Sequence, residues 1–295
     1  MSAQQLQPHI SKAAVLIEAL PYLQAFRGET FLIKMGGSAM DDPELVRKVM
    51  RDIVFLEVAG IRPIVVHGGG KAISAAMAAS GLEAKFLGGL RVTTPEAIAI
   101  VEKTLSGTIN PQLAKMIVDF GGRAIGVPGT EVFVGETISG RGPDGQGVDI
   151  GRVGQVTRCQ MEVIDRAHAD GVVPVISPLA AEAGTGEPLN VNADLAAAAL
   201  AKQRRVAKLI YLSDVPGLLA DPSDPSSLIH SITGPQARDL IADGTISGGM
   251  IPKIESALDA LENGVRKVHF IDGRVAHTLL LEIFTQSGIG TEIVR

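Results

Sequence analysis

Six short apolar runs, most of them closed by a glycine or a polar turn, restrict the fold of this chain more than any other feature. They cover residues 30–34, 61–67, 124–127, 172–177, 208–213 and 267–271. Runs this short and this continuously apolar read as strands buried on both faces and mostly parallel. Between them lie segments with helical spacing. Residues 43–59 put Leu45, Val49, Ile53 and Leu56 on one face, and residues 254–262 do the same with Ile254, Ala257, Leu258 and Leu261. Residues 195–202 form a further helical stretch behind Asp194. Residues 96–120 are expected to break near Asn110 and Pro111, because a residue before proline is pushed away from helical geometry. This strand–helix alternation predicts an α/β fold: an open αβα sandwich around a mainly parallel central sheet.

Composition agrees. Hydrophobic residues make up 46% of the 295, Trp is absent, and 8 Phe with 2 Tyr leave a core that must be mostly aliphatic. The Gly-, Arg- and Asp-rich residues 135–154 read as a hairpin or flap over a sheet edge, and residues 220–227 as a surface turn. The first 28 residues stand apart. Ala14, Ile17, Ala19, Leu20 and Leu23 mark a helix ahead of any strand, which either packs on its own domain or reaches another subunit.

Charge and cysteine usage exclude several classes. A net charge of −5 repels a polyanion, so no nucleic-acid partner is expected. The lone Cys159 rules out an intramolecular disulfide and a multi-cysteine metal site, and fits a cytoplasmic protein. No secretory signal is read at the N-terminus, and no apolar run is long enough to span a membrane.

Three glycine-rich turns follow predicted strands: Lys34-Met-Gly-Gly-Ser, His67-Gly-Gly-Gly-Lys71 and Ser213-Asp-Val-Pro-Gly-Leu-Leu219. In an open parallel sheet, ligands bind beyond the carboxyl ends of the strands, where exposed backbone N–H groups suit anionic oxygens. One such turn is weak evidence; three at one sheet edge indicate a phosphorylated ligand. Lys34 reads either as a phosphate ligand at a strand end or as a surface lysine beside a turn. Lys253, in Gly-Gly-Met-Ile-Pro-Lys, sits in the first turn of a helix, where the dipole disfavours a cation unless an anion compensates. Asp194, in Asn190-Val-Asn192-Ala-Asp194, reads in isolation as a helix N-cap. A carboxylate there would also serve to hold two lysines in place. Lysines and backbone N–H groups are what phosphoryl transfer needs. No obvious general base accompanies them, which favours an already ionised carboxylate acceptor over an alcohol. His67 reads as a turn-bonding residue, the other histidines lack metal-ligand spacing, and no metal-binding residues are assigned. No G-x-S-x-G elbow appears, and no G-x-G-x-x-G opens the first helix.

Taken in order, IKMGGSAM, VVHGGGKAI, GLRVTTPEAIAIVEKTLSGTIN, GRVGQV, LNVNADLAAAALA, LIYLSDVPGLL and GTISGGMIPKIESALDAL resemble the amino acid kinase family from about residue 30 to residue 295. The closest likeness is to the branch whose members phosphorylate the γ-carboxylate of N-acetyl-L-glutamate with ATP and Mg²⁺ carried on the nucleotide. The resemblance implies an N-terminal lobe (29–195) for the amino acid and for dimerisation, and a C-terminal lobe (196–295) for the nucleotide. It implies that Lys34 and Lys253 serve the transition state and that Asp194 orients them. Gly69, Gly70, Arg91 and Asn190 would hold the acylated amino acid, with Arg91 on its α-carboxylate. The nucleotide would meet Gly36, Gly37, the stretch Asp214, Val215, Pro216, Gly217, Leu218 and Leu219, and the stretch Thr245, Ile246, Ser247, Gly248, Gly249 and Met250. The N-terminal extension (1–28) and the C-terminal segment resemble the long, arginine-inhibited members, which form dimers or hexameric trimers of dimers. In these, Tyr22, His269, Glu282 and Gly288 would bind L-arginine. Two departures stand out: Lys71 where many relatives have proline, and Gly126-Val-Pro-Gly-Thr-Glu131, to which no ligand role is carried over. Another amino acid or carbamate kinase, or a non-catalytic arginine or nucleotide sensor, remain the alternatives.

Overall fold

The computed structural model describes residues 3–142, 146–221 and 223–295. All six predicted strands form, at 30–35, 62–67, 124–127, 173–176, 208–213 and 267–272, and all belong to one eight-stranded sheet. Its order is Ser231–Thr233, Thr291–Val294, Lys267–Asp272, Lys208–Ser213, Thr30–Met35, Arg62–His67, Val173–Ile176, Ala124–Val127. Neighbours are parallel throughout except Lys267–Asp272 against Thr291–Val294. Thr30–Met35 lies mid-sheet with parallel partners on both sides, which is why Phe31, Leu32 and Ile33 are fully buried. Two apolar clusters cover the two faces, as the αβα layering requires.

The helix Pro43–Val58 starts where Asp42 accepts hydrogen bonds from the Glu44 and Leu45 N–H groups, with Pro43 in its first turn. It buries Val46, Val49, Met50, Ile53 and Leu56 on one face of the sheet. The expected break at Asn110–Pro111 does not occur. Pro95–Thr104 and Asn110–Asp119 run on through a single wide π-turn, Leu105–Ile109. Pro111 lacks an N–H and would crowd the carbonyl four residues back in a regular helix; widening the preceding turn accommodates both.

The predicted flap is a hairpin, Phe133–Arg141 with Gly147–Cys159, carrying two register shifts. It closes with Leu179–Glu182 and Pro188–Val191 into a small four-stranded barrel. The N-terminal helix Ala3–Phe26 packs its C-terminal end on the domain, through Ala19, Tyr22, Leu23 and Phe26. Further out, Val15, Leu16 and Ile17 are each more than 60% exposed. Among the described residues, no helix is long and apolar enough to cross a membrane.

Candidate active site

The Thr30–Met35 strand delivers Lys34 to the carboxyl edge of the sheet, where its Nζ meets Asp194 Oδ1 at 2.8 Å. Both side chains are largely buried, at 12% and 18% exposure. Gly36 makes room for this: a Cβ there would sit 2.4 Å from Lys34 Nζ. Gly37 turns the chain at φ +62, a conformation glycine adopts without strain. The second turn lies directly against the first, since a Cβ on Gly68 would stand 3.4 Å from the Gly36 Cα. At Gly69 a Cβ would strike Leu105 and Ile109 at 2.6 and 2.8 Å, so the π-turn and the glycine turn require each other.

Asp194 is not the N-cap of its helix. That position is Asn192, whose side-chain oxygen accepts from the Asp194 and Leu195 N–H groups at 2.8 and 3.2 Å. The helix Ala193–Arg204 thus begins earlier than expected, and Asn192 leaves the Asp194 carboxylate free for Lys34. Asp194 holds Lys34 alone; among the described residues Lys253 makes no ion pair. Lys253 is half-buried in the first turn of the helix Met250–Glu262. Tyr211 ties the two neighbourhoods together, donating to the Asp194 carbonyl at 3.4 Å and hydrogen-bonding Ser256. Ser256 lies one turn, about 5 Å along the axis, beyond Lys253.

A cleft of about 750 Å³ opens beside these turns, lined among others by Gly37, Gly69, Gly70, Arg91 and Asp214. Arg91 is 7% exposed. It donates to the Gly70 carbonyl at 2.7 Å and to Ser74 Oγ at 2.9 Å, and its guanidinium lies 4.6 Å over the Phe86 ring. No carboxylate among the described residues pairs with it, and burial alone pulls its pKa down. A buried guanidinium without a counter-ion is a site built for an anion. Asn190 borders an adjoining cavity of about 170 Å³ that also reaches Gly69, Gly70 and Arg91. Its amide donates to Thr93 Oγ1, which in turn donates to the Arg91 carbonyl. Ser74, Phe86 and Thr93 escaped the sequence reading; only Ser74, four residues after Gly70 on a helix, had a spacing that pointed to it.

His67 behaves as a turn residue. It is fully buried, its Nδ1 donates to the Gly68 carbonyl at 2.7 Å, and its Nε2 accepts from Asn110 Nδ2 at 3.2 Å. Burial pushes its pKa down to about 4. A neutral imidazole satisfied on both nitrogens has no proton-transfer role here. Among the described residues, no three or more His, Cys, Asp or Glu side chains gather as a metal site.

In the third turn, Gly217 is pinned: a Cβ would meet Thr291 Oγ1 at 2.5 Å, and Leu218 N donates to that oxygen at 2.8 Å. Leu218 and Ile246 point into the core at 3% and 4% exposure, which leaves only their backbone to a ligand. Asp214, Ser247, Gly248 and Gly249 are exposed, and the two glycines face open space. Val215, Pro216, Thr245 and Met250 are half-buried, and Leu219 is bridged to Leu228.

Tyr22, His269, Glu282 and Gly288 come from four separate segments and line one cavity of about 260 Å³. His269 Nδ1 lies 2.7 Å from Glu282 Oε1, and Glu282 Oε2 accepts from the Ile289 and Gly290 N–H groups. Gly288 is required beside it, since a Cβ would approach Oε2 to 2.5 Å. Lys208, which the sequence reading passed over as a strand end, donates to His269 Nε2 at 2.9 Å and lies over Phe26. Its burial lowers its pKa to about 8.

These features outline an anion-binding cleft beside a buried lysine–aspartate pair, and comparison supplies the class of protein. The amino acid kinase family model matches residues 29–272, and the chain belongs to that family. An acetylglutamate kinase of Akkermansia muciniphila is 66% identical over 97% of this chain and 96% of its own length. One from Synechococcus is 47% identical over 96% and 92%. Among solved structures, N-acetylglutamate synthase from Neisseria gonorrhoeae, complexed with coenzyme A and N-acetyl-glutamate, superposes with a TM-score of 0.83 at 26% identity. The match covers 96% of this chain and 63% of the synthase, so the chain spans under two thirds of that protein. Carbamate kinase from Giardia lamblia shares the fold at a TM-score of 0.66 and 17% identity, covering 90% and 98%. The chain is therefore a kinase, with acetylglutamate kinases as its near-full-length relatives.

Proposed function

We propose that this kinase transfers the γ-phosphoryl group of MgATP to the γ-carboxylate of N-acetyl-L-glutamate, an acylated step of arginine biosynthesis. The observation that carries the reading is Arg91, a buried cation without a counter-ion beside two glycine turns and the Lys34–Asp194 pair. Arg91 holds the α-carboxylate with its planar fork, while Gly69, Gly70 and Asn190 shape the pocket around the acyl amino acid. The γ-carboxylate is already ionised, so its oxygen attacks the γ-phosphorus without a base. The β–γ bridging oxygen departs with ADP, and an acyl phosphate remains. Lys34 meets the developing charge on the transferred group, held on target by Asp194; Lys253 meets it from the nucleotide side. Gly36 and Gly37 present backbone N–H groups to phosphate, and residues 214–219 and 245–250 hold the nucleotide. Mg²⁺, brought in as part of the nucleotide substrate, would neutralise phosphate charge.

The division into an amino-acid lobe (29–195) and a nucleotide lobe (196–295) belongs to the same reading. So does L-arginine as an inhibitor in the cavity of Tyr22, His269, Glu282 and Gly288. Supporting it, a related synthase was crystallised with coenzyme A and L-arginine (TM-score 0.77, 25% identity, 96% of this chain and 65% of that one). The exposed apolar residues Val15, Leu16, Ile17 and Leu20 of the N-terminal helix fit assembly into a homo-oligomer, a dimer or a hexamer, working in the cytoplasm. Purified protein with N-acetyl-L-glutamate, ATP and hydroxylamine should yield an acyl hydroxamate, glutamate should replace the acetylated substrate poorly, and added arginine should suppress turnover. Folded protein that forms no hydroxamate refutes acetylglutamate as the acceptor; full activity in saturating arginine refutes the regulatory part alone.

A further inference from the structure

The wall of the 750 Å³ cleft carries a second cation that the mechanism above leaves unused. Lys71 is the second residue of the helix Gly70–Ala79, next to the Gly70 carbonyl that Arg91 holds. Its Nζ lies 2.6 Å from Asp41 Oδ2, and both residues line the cleft. Asp41 follows the turn Gly37–Met40, so the ion pair bridges the two glycine turns across the cleft.

Three properties make this bridge exchangeable. Lys71 is 81% exposed, so solvent screens its pair with Asp41 and the contact is weak. The first turn of its helix contains no acidic residue, so helix end and lysine both favour an incoming anion. The lysine stem is long and flexible, so Nζ can leave Asp41 without moving the backbone.

We propose that Lys71 is a specificity-determining residue for the acylated amino acid, exchanging Asp41 for a substrate carboxylate when that substrate binds. Asp41 is then its competitor: it holds the amine in place and weakens substrate binding by the strength of the pair it forms. The arrangement selects an acyl amino acid whose α-carboxylate reaches both Arg91 and Lys71 from adjoining positions, leaving its γ-carboxylate free to attack phosphorus. This deepens the proposed function and rests on it.

The test is a double-mutant cycle on the full-length protein, measuring N-acetyl-L-glutamate affinity by calorimetry and, separately, KM for each substrate. Lys71→Met should weaken acetylglutamate binding by up to about fivefold, the margin by which the substrate contact exceeds the Asp41 pair it replaces, and leave the KM for ATP unchanged. Asp41→Asn should tighten it by a similar factor, and that gain should vanish in the Lys71→Met background. Raising ionic strength should weaken binding to wild type more than to Lys71→Met. A merely structural bridge predicts the same sign for both single variants. Same-sign effects, unchanged affinity in Lys71→Met, or a change confined to ATP would overturn the proposal. Failure of the wild type to bind acetylglutamate overturns it too, whereas binding without turnover overturns only the kinase reading.

Discussion

Replacing Gly36 with alanine tests whether the position of the Lys34 amine, rather than its mere presence, matters for turnover. The added Cβ would lie 2.4 Å from Nζ and 3.0 Å from Cε, against an ordinary contact of about 3.5 Å. Nζ must therefore retreat by about 1 Å. From 2.8 Å, a shift of that size away from Asp194 breaks the hydrogen bond, and one to the side bends it. The far end of a lysine moves easily and Gly36 is not at positive φ, so the backbone tolerates alanine. The smaller unfolded-state entropy of alanine returns about 0.4–1 kcal/mol. Stability should consequently change by less than about 1 kcal/mol, while a 1 Å misplacement of a catalytic group costs on the order of 100-fold in rate. Hydroxamate formation gives kcat and thermal denaturation gives Tm. A kcat within about threefold of wild type, at unchanged Tm, would refute the idea that Gly36 exists to seat the amine.

Other perturbations address other parts of the molecule. Arg91→Lys keeps the charge but loses the fork over Phe86 and the bond to Ser74; KM for acetylglutamate should rise at least about tenfold with KM for ATP unchanged. His67, held neutral with a pKa near 4 against 6.5 when exposed, should make stability fall as the pH drops from about 6.5 towards 4, by about 3 kcal/mol in all. Denaturation curves for wild type and His67→Gln should therefore converge on acidification, and parallel pH dependences would sink this account. Leu16→Glu combined with Ile17→Glu, both exposed on the N-terminal helix, should lower the solution mass measured by light scattering and leave catalytic turnover intact.

How much of this was legible in the sequence follows the physics of each element. Five of the six predicted strands lie inside the sheet and announce themselves as apolar runs; Ala124–Val127 stands at its edge with Ile125 48% exposed, yet its four residues are apolar enough to read the same way. Ser231–Thr233 and Thr291–Val294 stand at the sheet's end and are short, so neither has such a run. Barrel closure through Leu179–Glu182 and Pro188–Val191 depends on pairings between distant segments that no local pattern encodes. Asn192 and Asp194 are both good N-caps; only the helix start distinguishes them. Lys34, Lys253 and Asp194 were marked by the glycine turns and helix starts beside them, whereas Arg91 and the four lining residues of the 260 Å³ cavity were reached through motif resemblance. Of their helpers, Ser74 had only its helical spacing from Gly70 to mark it, while Phe86 and Lys208 touch those residues through space and left no trace.

The role of Lys34 originates in the pleat of its strand rather than in the glycines that follow. Side chains alternate faces along a strand. Phe31, Ile33 and Met35 enter the cluster beneath the helix Pro43–Val58, whereas Leu32 joins Val66, Tyr211, Ala196 and Ala197 on the other side. Lys34 shares the parity of Leu32 and lies in register with Val66 and Tyr211. It therefore emerges on the side covered by the helix Ala193–Arg204, whose first turn carries Asp194. A one-residue slip in register would send the amine into the apolar cluster of Met50 and Ile53 and leave Asp194 facing a methionine. The parallel pairing of Thr30–Met35 with both neighbours thus fixes which carboxylate the lysine meets, and Gly36 then supplies the space for the meeting.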